Sequence, residues 1–169
     1  MQTFSTMPIA DQRTLVGVLN AHRELRLVAL ESFDTGDVVM ELSGIISRTA
    51  TRHTVQVGWS EHLEVPEGTS FEQKLERYGW QFLNHACHPN TRVVGRKLIA
   101  LRPIKAFDEL SFDYETTEWQ MAEPFVCRCG ACGGRRVRGF RFLDRAERTR
   151  RMPLLAAHLS QRFDEQLPE

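Results

Sequence analysis

The chain reads as a mainly β domain of short sheets that ends in a helix. Three observations carry that expectation. Apolar residues alternate with polar ones over short runs, as half-buried strands require. Turn signals such as Asp34-Thr35-Gly36-Asp37 and Pro66-Glu67-Gly68 separate those runs. Helical periodicity becomes sustained only in the tail, so no long helices alternate with strands, and a doubly wound α/β fold is excluded.

Residues 1–22 are weakly patterned and form a lead-in, with a short helix expected over residues 12–19. Leu25, Leu27 and Ala29 alternate around Arg26 and predict a first strand. Residues 38–42 follow the turn at Gly36 as a second strand, and residues 54–57 make a third. Residues 58–79 are mixed, with a turn or two of helix expected over 71–78. Residues 91–94 and 97–101 flank Gly95-Arg96 and predict a hairpin. Residues 110–113 add another short strand. In the tail, Asp144 with Glu147 three residues on resembles a helix start, with both carboxylates near the positive end of the dipole. Pro153 can open a further helix. Leu155, Leu159 and Phe163 share one face of it, which is expected to pack on the domain.

With 169 residues, 41% of them apolar, the chain can bury one core and carry a modest appendage. The expected organisation is a lead-in over 1–22, a main domain over 23–122, a cysteine loop over 123–143 and a helical tail over 144–169. Basic and acidic residues balance at 22 each, so no global basic field argues for nonspecific nucleic-acid binding. Arginines do cluster late, from Arg135 through Arg151. They read as a solvated face or as a surface for an acidic partner. No basic start precedes an apolar signal segment, and no apolar run approaches the ~18 residues of a membrane span. A cytoplasmic or otherwise intracellular location with reduced thiols is the expectation.

Two places carry chemistry. Cys127, Cys129 and Cys132 stand in a C-x-C-x-x-C spacing, with Gly130 and Gly133-Gly134 giving the loop its backbone freedom. Three thiolates this close suit one Zn²⁺, which takes four ligands in a tetrahedron. The fourth must come from elsewhere. Cys87 is the remaining cysteine, and His85 and His88 are the other candidates. The plain alternative is that these are buried apolar groups or redox thiols. Cys87 sits in the stretch Asn84-His85-Ala86-Cys87-His88-Pro89-Asn90, so a shared metal would staple the late loop onto residues 84–90.

The order Asn84-His85-x-Cys87-x-Pro89-Asn90, then Glu109-x-x-x-Asp113-Tyr114, then a trailing cysteine cluster resembles the SET-domain protein lysine methyltransferases with a post-SET zinc site. The resemblance runs from about residue 23 to 143. It implies a SET-type β-clip fold with a C-terminal pseudoknot that sets residues 84–90 beside 109–114. It implies that Asn84 and His85 line an S-adenosylmethionine pocket, that Tyr114 is the catalytic tyrosine and that Cys87 joins Cys127, Cys129 and Cys132 on zinc. Methyl transfer to an amine is an in-line displacement and depends mainly on alignment and a shielded path. Phe82, Phe112 and Phe125 lie near the motifs and are expected to wall a channel for an alkyl amine. Outside the resemblance, Tyr114 would read as a core tyrosine with a partnered hydroxyl.

The sequence departs from the family in four places. The G-x-G that precedes the first strand is replaced by Glu24-Leu25-Arg26, just before Leu27. These four residues are expected at the cofactor site, where Glu24 and Arg26 could meet the ammonium and carboxylate of a methionine moiety. Ala86 stands for a serine, the post-SET spacing is shorter, and the insert over residues 48–79 is brief. The expected function is S-adenosylmethionine-dependent methyl transfer to an amine, a protein lysine or a small molecule. The alternative is a SET fold repurposed without methyl transfer. A zinc-stapled nucleic-acid binder is the third reading, and nucleic acid is expected to be an unlikely partner.

Overall fold

The computed structural model describes residues 15–21 and 24–165, with side chains to Arg162. Strand β1 (Val16–Ala21) pairs antiparallel with β2 (Glu24–Ala29), from Val16 opposite Ala29 to Ala21 opposite Glu24. The helix expected over residues 12–19 is thus a strand from Val16 onward, and residues 12–14 lie outside the described residues. Leu15, Val16 and Val18 pack against the core, and that burial overrides the weak helical pattern.

Strand β3 (Val38–Glu41) follows the turn whose Gly36 has φ +94°, a region that favours glycine. Then come β4 (Ile45–Ser47), β5 (Val55–Gly58) and β6 (Glu61–Glu64), which form one antiparallel sheet in the order β4-β6-β5. Only β5 is evident in the sequence. Helix α1 (Phe71–Arg77) is opened by a capping box between Ser70 and Gln73. Strand β7 (Asn84–His85) is followed by the expected hairpin, β8 (Thr91–Val94) with β9 (Lys97–Ala100), and β9 also pairs with β3.

Strand β10 (Ser111–Phe112) pairs with β7, and this pairing is parallel: Ser111 faces Asn84 and Phe112 faces His85. That short ladder sets residues 84–90 against 109–114, the juxtaposition implied by the pseudoknot. Side chains lock it. Asn90 Nδ2 donates to the Glu109 carbonyl at 2.8 Å, and Asn90 Oδ1 accepts from Ser111 N at 2.9 Å. The core beneath holds Leu27, Leu63, Leu98 and Leu110, each fully buried, with Trp80 nearly so. Trp80 satisfies its indole N–H on the Ser43 carbonyl at 2.8 Å.

The late loop is a two-residue ribbon, β11 (Phe125–Val126) against β12 (Arg136–Val137). Helix α2 (Arg145–Arg151) begins at Asp144, whose side chain accepts from Glu147 N at 2.8 Å, as the sequence predicts. Pro153 lies in a short 3₁₀ turn over Met152–Leu154, and α3 (Ala157–Glu165) follows. Leu159 is fully buried against Phe140 and Leu143, and His158 bonds the Thr117 carbonyl at 2.8 Å, so α3 packs on the domain. Phe163's side chain lies outside the described residues. Among those residues no helix is long and apolar enough to cross a membrane.

Candidate active site

The site grows from the β7–β10 ladder. Asn84 Nδ2 donates to Glu109 Oε1 at 2.9 Å, and Arg26 Nη1 donates to Glu109 Oε2 at 3.0 Å. Arg26 Nη2 reaches Glu24 Oε2, also at 3.0 Å. Glu109 therefore ties the first strand's Arg26 to Asn84. Burial disposes β2 in the same way: Arg26 is half-buried on the cleft side, while Leu27 is sealed in the core. Leu27 is thus corrected from a site residue to a core residue: β2 runs from the cleft into the core, and Leu27 to Ala29 are all buried there.

His85 has a buried side chain. Its Nδ1 accepts from Tyr114 N at 3.2 Å, which leaves the proton on Nε2, 3.4 Å from Cys87 Sγ. Burial lowers its pKa to about 3, and the charges of Arg135 and Arg151 add to this. The ring is therefore neutral, and Asp113 Oδ1 at 3.7 Å is a neighbour of it and not an ion-pair partner.

Tyr114 packs its ring against Phe112, His85 and Phe125, with centroids 4.8, 5.3 and 5.9 Å away. Its hydroxyl donates to the Leu83 carbonyl at 2.6 Å. Burial raises its pKa, helped by the charges of Glu118 and Glu109, so it stays a phenol. With the proton committed to Leu83, the oxygen offers lone pairs to anything beside it.

Two cavities meet at Tyr114. One is a cleft of about 1070 Å³ walled by Glu24, Leu25, Arg26, Asn84, His85, Glu109 and, across it, Met121, Phe125 and Cys129. The other is a narrow cavity of about 40 Å³ walled by Val55, Trp80, Leu83, Phe112, Glu118 and Met121. Arg52, Tyr114 and Met121 line both. Of the three phenylalanines expected at a channel, Phe112 lines the narrow cavity and Phe125 lines the cleft. Phe82 lines neither. It sits at the end of a 3₁₀ turn and packs edge-on against Phe71 with centroids 6.3 Å apart, so it is corrected to a packing residue.

Cys87, Cys127, Cys129 and Cys132 gather with all four Sγ atoms within 4.8 Å of one another. Cys87 and Cys127 are 3.7 Å apart, and Cys129 and Cys132 are 3.8 Å apart. A tetrahedron with Zn–S bonds of about 2.3 Å has edges of about 3.8 Å. The spacing and the all-thiol donor set fit zinc. Arg135 Nε, 3.4 Å from Cys87 Sγ, brings positive charge to the thiolates. His85 and His88 are not part of the quartet.

Sequence reasoning missed the clamp that holds this loop. Glu115 is buried and accepts from Arg138 N at 3.0 Å, from Gly139 N at 3.2 Å and from Arg135. Arg151, also buried, donates from Nε to Asp113 Oδ2 at 2.7 Å and pairs with Glu147. Burial pushes the Asp113 carboxyl upward, and Arg151 opposes that. Glu109 could have been found from its own motif. Glu118 and Arg151 carry no local signal, because their roles depend on long-range packing.

A family model for the SET domain matches residues 24–115. The chain is 37% identical over 54 residues to methyltransferase flvH of Aspergillus flavus, a match covering 30% of each protein. It is 31% identical over 123 residues to a histone-lysine N-methyltransferase, H3 lysine-4 specific, of Debaryomyces hansenii, which covers 63% of this chain and 11% of that protein. The chain thus spans less than a third of either relative. The crystal structure of KRYPTONITE in complex with mCHG DNA and SAH superimposes with a TM-score of 0.51 at 22% identity, over 71% of this chain and 28% of that one. That complex corrects the expectation that nucleic acid is an unlikely partner: a protein of this fold is found with DNA bound. Net neutrality was too coarse a criterion, since binding responds to local charge and not to the sum over a chain. The matched segment takes in β2, the β7–β10 ladder and Tyr114, and the chain belongs to the SET-domain family.

Proposed function

We propose that this chain transfers a methyl group from S-adenosylmethionine to an amine, most simply the side chain of a protein lysine. The observation that carries this reading is the meeting of a wide cleft and a narrow cavity at Tyr114. A bulky cofactor and a slender acceptor can enter from different sides and react where the two spaces join. The cofactor would supply an electrophilic methyl on a sulfonium.

The chain's own residues would do the rest. Asn84, His85, Glu24, Leu25 and Arg26 would bind the cofactor. Arg26 is held between Glu24 and Glu109, and its Nε has no acceptor among the described residues. A carboxylate in the cleft would satisfy that donor, so Arg26 takes over what close backbone approach at a G-x-G would otherwise provide. The cleft remains open despite the lost glycines, and this favours cofactor use over a repurposed scaffold. Tyr114, its proton turned to Leu83, would orient the acceptor amine through its oxygen lone pairs. Phe112 and Leu83 would exclude water from the path. Cys87, Cys127, Cys129 and Cys132 would hold a structural zinc.

In this division of labour the catalytic unit over 23–122 would take in β1 from the lead-in, since β1 pairs with β2, and would be followed by a zinc loop over 123–143 and a supporting tail over 144–169. The relative named for histone H3 lysine 4 makes a histone tail the first protein substrate to try, and widens the expected location beyond the cytoplasm. Calorimetry with S-adenosylhomocysteine tests the reading. Stoichiometric binding is expected, and a folded, metallated protein that shows none would overturn it.

A further inference from the structure

The narrow cavity holds a group that the transfer chemistry above does not use. Glu118 lies four residues beyond Tyr114 and is buried, with 6% of its surface exposed. It is the one carboxylate among the described residues that line this cavity. Its Oε1 is occupied, accepting from Gln56 N at 2.7 Å and lying 3.5 Å from Thr117 Oγ1. Among the described residues no donor reaches Oε2. The other walls mix apolar side chains, among them Val55, Trp80, Leu83, Phe112 and Met121, with the polar Thr51, His53, Thr54 and Gln81. Arg52, the cation on the rim, is paired with Glu123 at 3.8 Å.

Glu118 Oε2 is not one of the sealed, unpartnered polar atoms of the described residues, so it opens onto the cavity, where a donor can reach it and a cation suits it best. A narrow cavity with that apolar side, presenting the lone pairs of Glu118 and Tyr114, suits an alkyl chain ending in an ammonium. From this we infer that Glu118 is the specificity residue of the acceptor cavity, pairing with a cationic alkylammonium and discriminating against neutral groups of the same shape. This inference deepens the amine-transfer reading and rests on it for its biological meaning. It also explains why a buried acid is tolerated here. The state without ligand pays by holding its proton longer, since burial lifts the Glu118 carboxyl to about 7.

The test compares two probes of matched shape, pentylammonium and 1-pentanol. Binding to the full chain is followed by NMR at about pH 8, where Glu118 is ionised, with and without S-adenosylhomocysteine. The wild-type protein is expected to bind pentylammonium about tenfold more tightly than the alcohol, as a charge-assisted bond would give. Glu118→Gln keeps the volume and the acceptor for Gln56 N, and is expected to lose the preference while still binding the alcohol. Equal binding of both probes by the wild-type protein would overturn the inference, as would a variant that keeps the preference or an absence of binding by either probe. Should the variant fold poorly, the wild-type comparison still decides. Failure of S-adenosylhomocysteine to bind, with the ammonium preference intact, would sink the transferase reading and leave the cavity's specificity standing.

Discussion

At the scale of single residues, Tyr114 is the point where position outweighs chemistry. Its hydroxyl already has a partner in the Leu83 carbonyl, so it could pass for a core tyrosine. What distinguishes it is that two cavities share it. Tyr114→Phe is therefore expected to slow methyl transfer about a hundredfold or more while leaving S-adenosylhomocysteine affinity unchanged by calorimetry. Parallel loss of both would instead mean that the hydroxyl, through its bond to the Leu83 carbonyl, also shapes the cofactor cleft. Arg26→Ala should do the reverse and weaken cofactor binding by about tenfold or more, the worth of a charged hydrogen bond. Arg26→Lys should not restore it, because the ammonium cannot hold Glu24 and Glu109 together in the same plane. Glu118 adds a pH dependence. Its carboxyl rises from an ordinary 4.5 to about 7 in the folded state. The folded protein then holds this proton more tightly than the unfolded chain. The resulting stabilisation is full below about 4.5, wanes as pH rises and is gone above about 7, amounting to about 3 kcal/mol. In urea unfolding across that window, the stability difference between wild type and Glu118→Gln should track this decline. A flat difference would show that Glu118 titrates normally. Motif reading singled out Asn84, His85 and Tyr114, and all three line the cleft. It misplaced Leu27 and Phe82, where one step along a strand or a 3₁₀ turn decides whether a side chain lines the site or packs elsewhere.

At the scale of elements, the legible ones were those whose signal is local. The β8–β9 hairpin has its glycine turn, α1 its capping box and α2 its Asp144 cap. Strands β4 and β6 were illegible because their short, partly polar sequences gain strand character only by pairing with each other. The junction between the cysteine loop and the tail was hidden for a similar reason. Glu115 and Arg151 look like surface charges in the sequence, yet each is buried. Together with Asp113, Arg135 and Glu147 they form an ionic network that draws the β12 strand and α2 onto the Tyr114 turn. Removing one partner leaves the others buried and uncompensated. Arg151→Ala is expected to cost about 3–5 kcal/mol in urea unfolding. Arg151→Met, together with Asp113→Asn, should recover part of that loss, since a neutralised pair avoids the stranded charge. Gly139, at φ +109° with a Cβ position 2.6 Å from Gln120 Cα, fixes the same junction sterically.

At the scale of the whole molecule, the cysteine quartet and the cleft are adjoining parts of one construction. Residues between Met121 and Cys129 form the far wall of the cleft, and Cys129, one of the four thiols, sits at the end of that wall. The near wall comes from β2 and the β7–β10 ladder, which Cys87 follows by two residues. A metal held by Cys87 and the late cysteines would therefore fix the separation between the two walls. Without it, the β11–β12 ribbon keeps only its own short pairing and the Glu115 clamp. Sequence reading could reach the ligand set by counting cysteines, but not this coupling, because the wall assignment exists only in three dimensions. Linkage makes the consequence reciprocal: whatever zinc contributes to cofactor affinity, cofactor must return to zinc affinity. Purified protein is expected to hold about one zinc per chain, fitting four thiolates. A chelator should weaken S-adenosylhomocysteine binding in calorimetry, and saturating S-adenosylhomocysteine should slow zinc loss to the same chelator. Hydrogen exchange should show the loosening confined to residues 121–139, with β2 and the hairpin still protected. Zinc removal that leaves cofactor affinity untouched would show that the cleft's far wall stands without its metal, supported by Glu115 and Arg151 alone.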